Sequence, residues 1–249
     1  MSADLILSTL LSPIVLFFAL GLMAALLRSQ MSVPESFAKG LAIYLMMAIG
    51  LKGGVEMSKT ALTPEIFGIA VVALGLSFGM PFLAYMILRF VSKMKAIDAA
   101  ATAGHYGSIS IVTFVAATQA LQISGVETSG YMVAMAALME VPAIMSALLL
   151  ARRSLKYEDD VAGSEKGEVF REVLLNASVV VLVGALAIGW IGGEPGMAKI
   201  SPFFVTPFQG VLCLFLLDMG LNAGRGLRQG WRQLDVGALS FGIFMPLIG

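Results

Sequence analysis

Charge is what this chain has least of. Asp, Glu, Lys and Arg make up 13% of its 249 residues, about half the share usual in a soluble domain, and its mean hydropathy is +0.90. Water is therefore not its main solvent, which excludes ordinary soluble enzymes and disordered tails. Sixteen basic residues against sixteen acidic ones leave no net charge to draw in a nucleic acid. The single cysteine, Cys213, excludes an intrachain disulfide and a cysteine-based metal cluster, and it reads as a small apolar packing residue. The single histidine, His105, leaves no histidine pair for zinc and no convincing Ser-His-Asp arrangement. Walker loops and dinucleotide fingerprints are missing as well. The chain is not read as an enzyme and no cofactor is implied, so any energy it uses would come from an ion gradient.

What the sequence does hold is long apolar runs. A bilayer core is crossed by about 20 mostly apolar residues, and seven such stretches stand at 5–27, 37–57, 67–91, 96–122, 130–151, 173–193 and 202–222. This predicts an all-α polytopic membrane protein. The first stretch has no basic leader and no small-residue cleavage site, so it reads as a retained helix. An eighth begins at Gly237 and leaves about 13 residues, too few to cross a ~30 Å core, so the chain is expected to be C-terminally incomplete. Arg28; Arg89, Lys93 and Lys95; Arg152, Arg153, Lys156, Lys166 and Arg171; and Arg225, Arg228 and Arg232 all fall in odd-numbered loops. Even-numbered loops hold only Lys52, Lys59 and Lys199. Short basic loops stay cytoplasmic, which predicts an outside amino terminus, a cytoplasmic 152–172 loop and residence in the plasma (inner) membrane.

Two echoes point to an internal repeat. Ile49-Gly50-Leu51-Lys52-Gly53-Gly54 is answered 170 positions later by Met219-Gly220-Leu221-Asn222-Ala223-Gly224. Met80-Pro81 is answered 165 positions later by Met245-Pro246. With five helices before the polar linker, the second unit starts on the opposite membrane face, which makes the repeat inverted, an architecture of secondary transporters with midplane binding sites. The division expected is 1–151 for a first five-helix repeat, 152–172 for a cytoplasmic linker and 173–249 for a truncated second repeat holding helices 6, 7 and part of 8. Repeating the first half's spacing predicts ten helices in a complete chain of about 317 residues.

The chemistry concentrates in helix 4. Gly104-His105-Tyr106-Gly107-Ser108-Ile109-Ser110-Ile111-Val112-Thr113 sets two glycines and two serines inside an Ala- and Val-rich span, and glycine weakens a helix interior while serine caps a new one. A break at the midplane is expected there. A half-helix starting near Ser110 would aim free N–H groups at a small anion, helped by Gly107 and the hydroxyls of Ser108, Ser110 and Thr113. The competing reading is a Gly/Ser seam for close helix packing. His105 reads as a pore-lining or packed residue, or as a proton-coupling group. In helix 5, Glu140 lies deep in an apolar run two residues before Pro142, which releases the Leu138 carbonyl. Carboxylate and carbonyl together would hold sodium; the alternative is a protonated glutamate bonded to a neighbouring helix. Asp218 in helix 7 is either a core carboxylate paired with this region, and so a further sodium ligand, or an interfacial one.

Ala103 to Ser110 with Thr113, Ala137-Leu138-Met139-Glu140-Val141-Pro142-Ala143 and Asp218-Met219-Gly220-Leu221 resemble the corresponding segments of the sodium-dependent bicarbonate transporters known best from cyanobacterial carbon concentration. The resemblance runs over essentially the whole chain. It implies ten helices in two inverted repeats, bicarbonate and sodium held where two broken helices cross, and homotrimers. It also implies that Ser108, Ser110 and Thr113 take the anion and that Glu140 stands at an acidic position associated with sodium. The family's second broken helix has no counterpart before residue 249. A PII-like cytoplasmic regulator is a further partner in that family, and the 152–172 loop is short beside the cyanobacterial examples. The function expected is sodium-coupled transport of a small anion, bicarbonate first, by alternating access. The alternatives are a cation/proton antiporter using Glu140 and Asp218, and a non-transporting membrane protein that binds a ligand or partner.

Overall fold

The computed structural model describes residues 10–61, 63–109, 129–158 (side chains through Ser154), 177–230 and 235–248, with a few single positions such as Leu7 and Phe114. Among them every regular element is helical: α1 (Pro13–Leu26), α2 (Glu35–Lys59), α3 (Pro64–Val91), α4 (Ala96–Gly104), α5 (Tyr131–Glu158), α6 (Ala177–Phe204), α7 (Phe208–Gly230) and α8 (Val236–Phe244), followed by a 3-10 turn at Met245–Leu247. Five of these, α2, α3, α5, α6 and α7, are long and apolar enough to cross a membrane, while Pro13–Leu26 and Val236–Leu247 are shorter apolar segments. The chain is a multi-pass membrane protein. Several helix starts follow from local chemistry. Pro13 and Pro64 stand in first turns, where a missing N–H costs nothing, behind the capping hydroxyls of Ser12 and Thr63.

Several boundaries differ from the hydropathy reading. The sixth span was expected to end at 193, but α6 continues to Phe204 across a kink at Gly193, where φ is 56° and ψ −159°. Glycine reaches that conformation without a Cβ penalty. Composition marks Gly192-Gly193-Glu194-Pro195-Gly196 as a loop, yet an acidic residue and a proline are what a first helical turn favours, so a new helical segment starts at once. It turns back along α2. Lys59 Nζ pairs with Glu194 Oε1 at 2.7 Å, and the Tyr44 hydroxyl donates to the Phe203 carbonyl. The Tyr44 ring also lies 5.4 Å from that of Phe203 and 5.6 Å from that of Phe204. The seventh helix consequently runs from Phe208 to Gly230. At the expected first linker boundary, α5 continues past 151 to Glu158, and residues 159–176 lie outside the described residues.

The helices form two groups: α1, α2, α6 and α7, built from the closely packed α2–α6 and α1–α7 pairs with α7 also touching α2, and α3, α4, α5 and α8. In the first group α2 lies on α6 and α7 lies on α1, each pair running in the same direction and using the same contacts. Gly50 abuts the Leu182 carbonyl and the Leu186 nitrogen, at 2.7 and 3.1 Å from a Cβ placed on it; Gly220 likewise abuts the Phe18 carbonyl and the Leu22 nitrogen. One turn on, Gly54 meets the Leu186 carbonyl and Gly224 the Leu22 carbonyl. Small residues at these positions let the backbones touch, which is how helices associate where lipid removes the usual hydrophobic drive. The second group packs around Ala84 and Leu88 of α3, Ala99 and Ala103 of α4, and Phe241 and Met245 at the α8 end. The groups meet chiefly where α2 crosses α5, with a Cβ on Gly53 placed 3.2 Å from Ala134 Cα.

Candidate functional site

α4 stops after nine residues, at Gly104. The chain then tightens: the Tyr106 N–H donates to the Ala103 carbonyl at 3.0 Å and the Gly107 N–H to the Gly104 carbonyl at 3.3 Å, the three-residue spacing of a 3-10 turn. This turn is wedged between α3 and α5 beside their internal prolines, Pro81 and Pro142. A Cβ on Gly107 would lie 2.6 Å from the Ser77 carbonyl oxygen, 2.7 Å from Pro81 Cγ and 2.8 Å from Ala143 Cβ, so only glycine fits. Neither proline supplies an N–H, which leaves the Ser77 carbonyl and the Leu138 carbonyl without their helical donors. The Ser77 side chain, fully buried, donates to the Met139 carbonyl and ties the two proline-bearing helices together. Tyr106 anchors the far side of the turn, its ring set edge-on to Phe241 at 5.2 Å.

Beside the turn lies a cavity of about 300 Å³. Met46, Ile49 and Lys52 of α2 line one wall, Val133, Ala137 and Glu140 of α5 another, and Ser108 and Ile109 come from the turn itself. Phe204, Val205 and Phe208, at the junction of α6 and α7, close a further side. The Ser108 side chain stands beside the Glu140 carboxyl group, and His105 is near enough to act on that carboxyl electrostatically. The cavity is thus mostly apolar with a few converging polar groups, the composition of a small-solute site. It sits between the two helix groups, where a relative movement of one against the other would change its access.

The structure brings Ser108 and Glu140 together and places Gly107 one residue away in the tight turn. Leu138 is half-buried two positions earlier on α5 and does not line the cavity. Ser110 and Thr113 lie outside the described residues, as does the start expected for a second half-helix. Asp218 is on α7 and does not line the cavity; it is 4% exposed and accepts a hydrogen bond from Asn222 Nδ2 at 3.2 Å. Lys52 was not singled out by sequence reasoning, because the charge count grouped it with loop lysines. Its own signal was there: it falls inside the 37–57 apolar run, and an ionisable residue at that depth usually marks a pathway. Ser77 and the aromatic closure at Phe204 and Phe208 carried no comparable signal, since both depend on contacts between helices distant in sequence.

No curated protein matches the chain. The family model described as the Na+-dependent bicarbonate transporter superfamily matches residues 13–249, nearly the whole of it, and the protein belongs to that family.

Proposed function

We propose that this protein carries bicarbonate, a small anion, into the cell together with sodium, by alternating access of the α3–α4–α5–α8 group against the α1–α2–α6–α7 group. The observation that carries the reading is the Ser108–Glu140 pair in a cavity of about 300 Å³ between those two groups. Family membership supports the two solutes. The matched contacts of Gly50 and Gly220, each against one carbonyl and one nitrogen of its partner helix, support an inverted repeat in which α1 and α2 answer α6 and α7. In this reading Ser108, Ser110 and Thr113 take the anion. Glu140 and the Leu138 carbonyl take sodium, a hard cation that oxygen ligands suit. The membrane is the plasma (inner) membrane, with the amino terminus outside and residues 152–172 in the cytoplasm.

The test is uptake of labelled bicarbonate into liposomes containing the complete gene product, with sodium present and absent. Sodium-stimulated uptake that falls at least tenfold in Ser108→Ala and in Glu140→Gln is expected; uptake indifferent to sodium would overturn the proposal. A second reading, a cation/proton antiporter, draws on the nearness of His105 to Glu140. It requires sodium movement driven by a pH gradient with no anion present.

A further inference from the structure

Lys52 is a lysine inside an apolar helix, and its position has a specific chemical consequence. Along α2 it shares a face with Ile49 and Met46, three and six residues earlier, and all three line the cavity. The next residue, Gly53, packs on Ala134 of α5, so Lys52 stands near the level of Ala134. Glu140 is six residues further along α5, roughly 9 Å deeper by helical rise. Among the described residues no carboxylate lies within ion-pair distance of Lys52: Glu56, one turn on, is bonded instead to Lys59 at 3.3 Å. The cavity therefore holds one cationic and one anionic side chain at different depths, with Lys52 nearer the end of α2 that carries Lys59.

We propose that Lys52 is the anion-side countercharge of this cavity and that, with Glu140, it makes anion and sodium bind as an obligatory pair. The inference rests on the transport reading above and deepens it. With Lys52 protonated and Glu140 ionised, the empty cavity carries one charge of each sign. Loaded with a monovalent anion beside Lys52 and sodium beside Glu140, it is again neutral. Lys52 is exposed in this open arrangement; once the cavity closes, either ion alone would leave a net unit charge cut off from water, where it is least tolerated. The states that can close are then the empty one and the doubly loaded one, and the coupling between the two ions follows from charge balance without any contact between them. Lys52 belongs to one helix group and Glu140 to the other, so the balance is assembled only when the groups enclose the cavity.

The test measures uptake of labelled bicarbonate and of labelled sodium, varying each ion separately, in liposomes containing the complete gene product, unaltered or as Lys52→Gln, Lys52→Met, Lys52→Arg and Glu140→Gln. In Lys52→Gln the half-saturating bicarbonate concentration should rise about tenfold or more, and sodium should now exchange without any anion. Lys52→Met should behave like Lys52→Gln and serves if that variant does not fold. Lys52→Arg should keep both half-saturation values within about threefold, because the charge remains. Glu140→Gln should let the anion exchange without sodium. Unchanged half-saturation for both ions in Lys52→Gln or Lys52→Met would overturn the inference while leaving the transport reading intact. So would a fall in maximal rate alone that Lys52→Arg does not restore, since that is the mark of a structural role. An unaltered protein with no sodium-stimulated bicarbonate uptake would overturn the transport reading and this inference with it.

Discussion

Replacing Gly107 by alanine puts one methyl group where three neighbours already stand. The new Cβ would lie 2.6 Å from the Ser77 carbonyl oxygen, 2.7 Å from Pro81 Cγ and 2.8 Å from Ala143 Cβ. Restoring ordinary contact at about 3.4 Å requires movements of roughly 0.6–0.8 Å. None of the three neighbours is the free end of a flexible side chain, so the turn itself must move and carry Ser108 with it. Overpacking of this kind costs about 1–3 kcal/mol, which for a protein of this size lowers the thermal midpoint by about 2–12 °C. Displacement of a positioned polar group by under an ångström is also enough to lose a large factor in rate, so sodium-stimulated bicarbonate uptake should fall about tenfold or more. The control is Gly79→Ala on α3, where a Cβ meets nothing within 4 Å and alanine should be neutral or stabilising by about 0.5–1 kcal/mol. Midpoints in detergent and uptake in liposomes are measured for both. Gly107→Ala matching Gly79→Ala in both assays would refute the account of the turn.

Three further outcomes are expected. Gly50→Leu and Gly220→Leu should each destabilise the protein toward the upper end of about 1–3 kcal/mol, and by similar amounts, because each side chain meets one carbonyl and one nitrogen of backbone that cannot rotate away. Gly184→Leu, facing open space, should change the midpoint little, and unequal effects at the two packed glycines would contradict the matched packing. Ser77→Ala should cost about 1 kcal/mol in detergent thermal unfolding through loss of its bond across to Met139, whereas Ser146→Ala, which gives up only a bond to Ala143 in its own helix, should cost less. Asp235 caps α8 and also accepts the Lys93 N–H, and these backbone donors hold its carboxyl below its ordinary value of 3.8. Because the folded value is the lower one, its stabilisation is fully present above about pH 3.8 and is lost as pH falls through the folded value. Asp235→Ala should raise hydrogen exchange at the Ala238 and Lys93 amides at neutral pH; unchanged protection would refute the cap.

The sequence alone determined that this is a helical membrane protein, because a long apolar run can only satisfy its backbone within lipid as a helix. It located α2, α3 and the start of α5 closely, and it expected an interruption within Gly104–Thr113, where α4 ends at Gly104, since glycine and serine weaken a helix whatever surrounds it. Gly107, Ser108 and Glu140 could be picked out for the same reason: each is a residue type at odds with its own neighbours in the chain. What depended on partners far along the chain was not legible. The return of Glu194–Phe204 along α2 follows from a left-handed glycine and contacts to Lys59 and Tyr44, none of which alters local hydropathy. Asp218 and Lys52 looked alike as charges within or near apolar spans; the helical repeat sets Asp218 beside Asn222, four residues on, but only tertiary packing puts Lys52 in the cavity with Glu140. Hydropathy records how deep a residue lies in the membrane; which side of its helix meets a neighbour, and therefore which charges share one enclosure, is decided by how the helices pack.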